Sequence, residues 1–342
     1  MKRLSVEFIT VLVVLALLGV ALARLADAAD EALPPKLSVE AAARRAKQGA
    51  IVPITIRSDR PLARLALVHG DRTVPVELTE GGMLGRALLG IDMDAPLGDQ
   101  PLRLEATADD GAAAPVTYSL EIVSGRFRVQ RLRVKRGYVE LPPGVLERVR
   151  ADQAAVARVW ATGDPERRWR GRFLAPIEAT PSDNFGVRRI FNGQPRAPHN
   201  GVDFGAPAGT PVVAPAAGRV ALADDLYFSG GTIILDHGAG LFTTYFHLSR
   251  LDVRPGDLVR QGQAIGAVGS TGRSTGPHLH WGARLHGARV NPLDLLALPD
   301  WDGEPIVADS PPAVPAVPAA ATSGPAAAPA AAPAESPASS AY

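Results

Sequence analysis

Across residues 33–124, apolar and polar positions alternate with period two in short runs. Val52, Ile54 and Ile56 alternate with Pro53, Thr55 and Arg57, and Val74, Val76 and Leu78 with Thr73, Pro75 and Glu77. Leu102, Leu104 and Ala106 alternate with Arg103, Glu105 and Thr107, and Val116, Tyr118, Leu120 and Ile122 repeat the pattern. A strand turns successive side chains to opposite faces, so each run has one face to bury. Gly81-Gly82 and Asp109-Asp110-Gly111 supply turns. Strands of this kind, spaced by about 8 to 12 residues, predict an Ig-like β-sandwich over residues 33–125. The run holds no catalytic cluster, so a spacer or positioning role is expected. His69 precedes the Gly70-Asp71 turn and is expected to be a solvated loop residue.

The period then changes. Val145, Val149, Val156 and Trp160 recur at helical spacing between Gly144 and Gly163, which predicts a short amphipathic helix packed on one of the two domains. It lies in a connector, residues 126–164. Residues 127–139 of that connector are strand-like and basic, with Arg128, Arg131, Arg133, Lys135 and Arg136 following Arg126. Such a run reads as a solvated face, with contact to acidic wall polymer or lipid headgroups as the alternative. Further on, glycines and prolines punctuate apolar runs at 218–223, 232–236, 241–247, 264–268 and 278–285, with no long helical pattern between them. This predicts a compact, mostly antiparallel β domain over residues 165–300. The chain as a whole is therefore expected to be mostly β.

Both ends differ in composition. Lys2 and Arg3 precede an uncharged, mostly apolar run at residues 8–23, with Ala21-Leu22-Ala23 and Ala26-Asp27-Ala28 as cleavage-like triplets. Residues 1–29 are expected to be a signal peptide or a retained membrane anchor, which places the protein in the periplasm or cell envelope. Residues 302–342 are rich in Ala and Pro and are expected to form a disordered tail. The 342 residues suit two domains. The net charge of +1 argues against a nucleic-acid partner. The absence of cysteine excludes disulfides and thiolate ligands, so any metal must be held by His, Asp or Glu.

Candidate chemistry clusters in the second half. His278 and His280 sit two apart in Gly276-Pro277-His278-Leu279-His280-Trp281-Gly282, so on a strand both rings share a face while Leu279 and Trp281 turn to the other. His199 and Asp203 lie four apart, again an even spacing, and His247 ends the run Tyr245-Phe246-His247. Imidazole nitrogen and carboxylate oxygen are zinc ligands, and three protein ligands plus water describe a catalytic site. Five groups exceed that need, which leaves some for proton transfer.

In this order, the His-x-x-x-Asp, Tyr-x-His-Leu-Ser and Gly-Pro-His-Leu-His-Trp-Gly segments resemble the lysostaphin/LytM-type zinc metallo-endopeptidases that cut peptidoglycan peptides. Phe185-Gly186-Val187-Arg188-Arg189, the segment from Ala206 through Pro211-Val212, and Gly262-Gln263-Ala264-Ile265-Gly266 extend the likeness over residues 181–293. The resemblance implies one zinc ion on His199, Asp203 and His280, a groove site, and attack by a zinc-bound water. It makes His247 and His278 the two catalytic histidines and favours His278 as the base. It leaves out His237 and His286. Several members of that family carry a tyrosine shortly before the first ligand; residues 191–198 have none, and Arg188, Arg189 or Arg196 is the candidate positive charge in its place, with structural ion pairs as the alternative. Three rival readings are weighed. A non-hydrolytic wall-binding activator of a separate amidase predicts missing ligands, and none is missing. A biotinyl or lipoyl carrier domain needs a lysine, and the last one is Lys135. A structural wall-linked protein would bind no metal.

Overall fold

A computed structural model describes residues 34–39, 44–133 and 144–302. The expectations for residues 1–29 and 303–342, and for the part of the basic run beyond 133, lie outside the described residues.

The first half forms two facing sheets. One has the order Leu37–Val39, Ile51–Ser58, Leu84–Gly90, Glu77–Thr79; the other runs Arg45–Lys47, Ala113–Val123, Gly98–Ala108, Leu62–His69, Arg72–Val74. Their inward positions are the predicted ones: Ile54, Ile56, Leu102, Leu104, Leu120 and Ile122 are all buried between the sheets. Burying each such side chain stabilises the fold by about 1.5–3 kcal/mol. Two expectations are corrected. The run through Val74, Val76 and Leu78 is not one strand but two, in different sheets, because Pro75 has no N–H for a ladder. His69 is not solvated: it is 3% exposed. Leu65, Leu67 and His69 follow one another on the inward face, and the turn begins only at Gly70.

The predicted helix is Leu146–Ala161. Val159 packs with Leu222, Leu226, Ile234 and Phe242, so the helix covers one face of the second-half sheet. Asp152 is buried on the same side and accepts a hydrogen bond from the Tyr227 amide at 2.8 Å.

The second half is organised around an antiparallel sheet in the order Gly201–Gly205, His278–Leu285, Leu241–Leu248, Gly230–Asp236, Gly218–Leu226, Leu258–Val259, with Ala288–Val290 also on His278–Leu285. A small sheet of Pro211–Val213, Ala264–Ala267 and Arg250–Leu251 packs beside it. Another joins the first half to the second: Val129–Leu132 runs parallel to Arg188–Phe191, which pairs with Gln194–Pro195. Among the described residues no helix is long and apolar enough to cross a membrane.

The two halves share an interface. Ile51 and Leu88 from the sandwich belong to the core cluster of the second half. Gly90 permits the close approach, since a Cβ there would lie 2.8 Å from the Leu285 carbonyl oxygen. Arg289 bonds Asp92 through Nε (3.1 Å) and a terminal nitrogen (2.6 Å) and also reaches Asp94 at 2.8 Å. Asp94 pairs with Arg188 as well. Asp294 accepts a hydrogen bond from the Ile51 amide at 2.9 Å.

Candidate metal centre

Three neighbouring strands bring the site together. In register, Asp203 on Gly201–Gly205 faces His280 on His278–Leu285, which in turn faces Phe246 on Leu241–Leu248. Alternation then puts these side chains on one face, with Leu279 and Trp281 fully buried on the other. His280 stacks on Phe246 with ring centroids 4.9 Å apart and planes 4° from parallel, which fixes the imidazole plane. Gly201 leaves room for that ring, because a Cβ at this position would lie 2.6 Å from His280 Nε2 and 2.4 Å from the Trp281 carbonyl oxygen.

His199 lies just before the first of these strands. Its amide donates to Val187 O at 3.0 Å, and Gly186 N donates to His199 O at 2.7 Å, which pins the residue to the adjoining segment. Asn184 supports two of the candidate ligands. Its carbonyl oxygen lies 3.0 Å from His199 Nδ1, and its side-chain amide donates to Asp203 Oδ2 at 2.8 Å. A carbonyl can only accept, so His199 Nδ1 carries the proton and Nε2 presents a lone pair.

That lone pair meets two other atoms. His199 Nε2, Asp203 Oδ1 and His280 Nδ1 form a triangle with edges of 2.9, 3.0 and 3.1 Å. Tetrahedral zinc with ligands at about 2.0–2.1 Å spans edges of about 3.3 Å, so the triangle fits one face of such a site with modest relaxation. The donor set fits equally: two imidazoles and one carboxylate, all borderline or hard ligands with no thiolate. Among the described residues, this is the group of three or more His, Asp or Glu side chains that could hold a metal ion. Burial, moderated by the nearby Asp203, pushes His280 down to about 4, so the ring is neutral at working pH and its nitrogen can ligate. Burial works against the charge on Asp203, but the His199 and His280 rings outweigh it and hold the carboxyl well below the usual range.

The other two histidines border the triangle. His278 Nε2 lies 3.8 Å from Asp203 Oδ1, and its Nδ1–H donates to Gly276 O at 2.8 Å. His247 Nδ1–H donates to Thr271 O at 2.8 Å. Each ring is thereby fixed with Nε2 as its free nitrogen. The centroids of His247 and His278 are 4.8 Å apart.

His247 reaches this face by a backbone irregularity. Gly231 pairs with Leu248 and Ile233 with Tyr245, so Phe246 and His247 together oppose the single residue Thr232, a β-bulge. His247 has φ +63°, in the left-handed region. Strict alternation would put Phe246 on the site face and His247 on the opposite one; the extra residue brings both to the site. The sequence pattern does not reveal this bulge, nor the roles of Asn184, Gly201 and Phe246.

The remaining histidines are apart from the site, as expected. His237 is fully buried, with its ring nitrogens 2.8 Å from Ala217 O and Thr243 Oγ1. His286 lies in the turn after His278–Leu285 with φ +49°. Of the candidate arginines, Arg188 pairs with Asp94, Arg196 lies over the Phe191 ring at 5.8 Å, and Arg189 is half-buried with its Nε 3.4 Å from Gln130 Oε1.

Comparisons with known proteins converge on the same region. The sequence model of peptidase family M23 matches residues 197–292, which span all five site residues. The peptidoglycan DD-endopeptidase ShyA of Vibrio cholerae is 39% identical over 132 residues, 38% of this chain and 31% of ShyA. The DD-carboxypeptidase/endopeptidase Mpg of Neisseria meningitidis is 48% identical over 101 residues, 30% of this chain and 23% of Mpg. The chain thus spans a third or less of the length of these curated relatives. A solved structure from Pseudomonas aeruginosa assigned to peptidase M23 is 30% identical with a TM-score of 0.55, and the match covers 73% of this chain and 94% of that one, so it reaches well beyond the metal-centre domain. Because this M23 structure is 30% identical and is matched over nearly its whole length, the chain belongs to peptidase family M23.

Proposed function

We propose that this protein is a zinc metallo-endopeptidase that hydrolyses peptide bonds in the stems or cross-links of peptidoglycan. The observation that carries this reading is the triangle of His199 Nε2, Asp203 Oδ1 and His280 Nδ1 beside two imidazoles whose free nitrogens are fixed by backbone carbonyls. These three atoms would hold one zinc ion, whose Lewis acidity activates water and polarises a peptide carbonyl.

The chain's own residues supply the proton chemistry. His278 is assigned as the base, because its ring is the more accessible, with 14% of the side chain exposed, and its Nε2 borders the triangle. His247 is 1% exposed and lines the same wall. Its Nδ1–H is committed to Thr271, so it can donate to an oxyanion or a leaving amine only after Nε2 gains a proton. Asn184 holds His199 and Asp203 in place from behind.

The substrate class rests on the names of ShyA and Mpg together with the family match. The apolar N-terminal run supports action outside the cytoplasm, in the periplasm or cell envelope, with residues 1–29 as signal peptide or anchor. All the ligand positions of the motif are filled, so a non-hydrolytic activator is not favoured. The test is to incubate the zinc-loaded protein with purified peptidoglycan and identify released fragments by mass spectrometry. Fragments with newly freed peptide termini support the proposal. Intact peptidoglycan from a protein that carries one zinc per chain overturns it.

A further inference from the structure

The helix Leu146–Ala161 lies on the same face of the central sheet as the metal centre. Phe246, Thr244 and Phe242 oppose His280, Gly282 and Arg284 in register, and alternation turns all of them to that face. Trp160, near the end of the helix, packs edge-on against Phe242 with ring centroids 5.3 Å apart. Arg284 is further along the strand than His280, by roughly 13 Å. A Cβ at Gly282 would lie 2.6 Å from Thr244 Oγ1 and 3.8 Å from His280 Nε2, so glycine keeps the sheet face open between the candidate ligand and Arg284.

A cavity of about 60 Å³ occupies this space. Val156 and Trp160 of the helix line it together with Ile234, Phe246, Asn200 and Arg284. Phe246 stacks on His280 and Asn200 directly follows His199, so the cavity abuts the metal centre. Val156 and Trp160 lie outside the residues that match the M23 model, so the connector of this chain helps to shape it.

The polar groups in the cavity differ in their commitments. Arg289 gives its N–H groups to Asp92 and Asp94. Arg284 is half-buried with its guanidinium carbon 4.8 Å from the centre of the Trp160 ring, and among the described residues it makes no hydrogen bond or ion pair. The Asn200 side-chain amide likewise has no hydrogen-bond partner among the described residues. Burial and the neighbouring Arg289 both work against the charge on Arg284, and Asp92 opposes them while bonded to Arg289. An anion beside Arg284 would relieve that cost, and a carboxylate matches the guanidinium fork. A water-sized group needs about 10–15 Å³. The cavity therefore takes about four to six non-hydrogen atoms, the size of the Cα, methyl and carboxylate of an alanine.

Resting on the proposed peptidase reading, we propose that this cavity is a substrate subsite in which Arg284, with the Asn200 amide, binds the free carboxylate of an alanine-sized terminal residue of the peptide, the helix supplying one wall. The substrate class is then an acidic stem peptide with a free end rather than a neutral bridge such as oligoglycine.

The test uses the full chain and three cross-linked stem peptides that differ only in one terminal residue: alanine with a free carboxylate, alanine amide, and leucine with a free carboxylate. KM is measured for the wild type, Arg284→Gln, Arg284→Lys and Val156→Phe. Binding is also measured by calorimetry to the metal-free proteins, where no zinc can hold the carboxylate. The wild type is expected to favour the free alanine peptide over the other two by roughly 10- to 100-fold. Arg284→Gln should erase the preference over the amide, and Arg284→Lys, which keeps the charge but not the fork, should restore part of it. Val156→Phe narrows the cavity from the helix side and should reduce the preference with Arg284 in place, which keeps the test decisive if Arg284→Gln does not fold. The same ranking is expected in the metal-free binding data, which stand even if the wild type cuts no peptide, so failure of the peptidase reading is told apart from failure of this one. An acid-over-amide preference that survives in Arg284→Gln, a loss of equal size on all three peptides, or metal-free binding with no ranking would overturn the subsite.

Discussion

At the scale of single residues, the proposed roles of ligand and proton carrier make separable predictions. His280→Ala deletes one corner of the triangle, and zinc content measured by elemental analysis should fall well below one per chain. His278→Ala and His247→Ala leave the triangle intact, so zinc should stay near one per chain while turnover on a cross-linked stem peptide drops by about 100-fold or more. The reverse pattern, with His278→Ala losing zinc and His280→Ala keeping it, would exchange the roles. That these side chains come together was legible in the sequence, for a definite reason. The even spacing of His278 and His280 survives any twist of a strand, and the even spacing of His199 and Asp203 leads into one. What was not legible depends on register between strands. The bulge at Phe246-His247 is set by pairing with Thr232, and the support from Asn184 by the course of an irregular segment that brings it to His199 and Asp203. His69 was misread because the inward alternation of Leu65 and Leu67 carries one residue further than the turn signal suggested.

At the scale of elements, the helix and the strands followed their periodicities. Val145 to Trp160 predicted Leu146–Ala161 to within a residue at either end, since 3.6-residue spacing between two glycines has few other readings. Pro75 shows the limit of a period read without its hydrogen bonds: the alternation was correct, but the strand broke into two sheets. The helix docks by a polar as well as an apolar contact. Asp152→Ala should leave the Tyr227 amide without its partner and destabilise the protein by about 1–3 kcal/mol, measured by chemical denaturation. Asp152→Asn retains an acceptor and should cost less. Equal losses for both would show that the hydrogen bond contributes little.

At the scale of the whole molecule, the interface between sandwich and metal-centre domain was not predictable, because it joins residues some two hundred positions apart. One of its members gives stability a pH dependence. Burial pushes Asp294 up to about 6 from 3.8, against the opposing effects of its bond from Ile51 and of Lys47. Between those two values the folded chain binds the proton more tightly than the unfolded chain, so stability is greatest below about pH 4 for this group and falls as pH rises toward 6. Asp294→Asn keeps an oxygen for the Ile51 amide and removes the charge. It should raise stability by about 2 kcal/mol at pH 7.5 and change it little at pH 4, as read from urea midpoints at the two pH values. The ion pairs of Asp94 carry a different consequence. This one carboxylate holds both Arg289, in the strand Ala288–Val290 of the central sheet, and Arg188, which directly follows Val187, the acceptor of the His199 amide. A carboxylate shared in this way predicts that docking of the sandwich and zinc binding at the proposed site are coupled, and coupling is reciprocal. Asp94→Asn should weaken zinc binding although it touches no ligand. Zinc, in turn, should slow hydrogen exchange at the Ile51 and Ile91 amides, in a domain that contributes nothing to the ion's coordination.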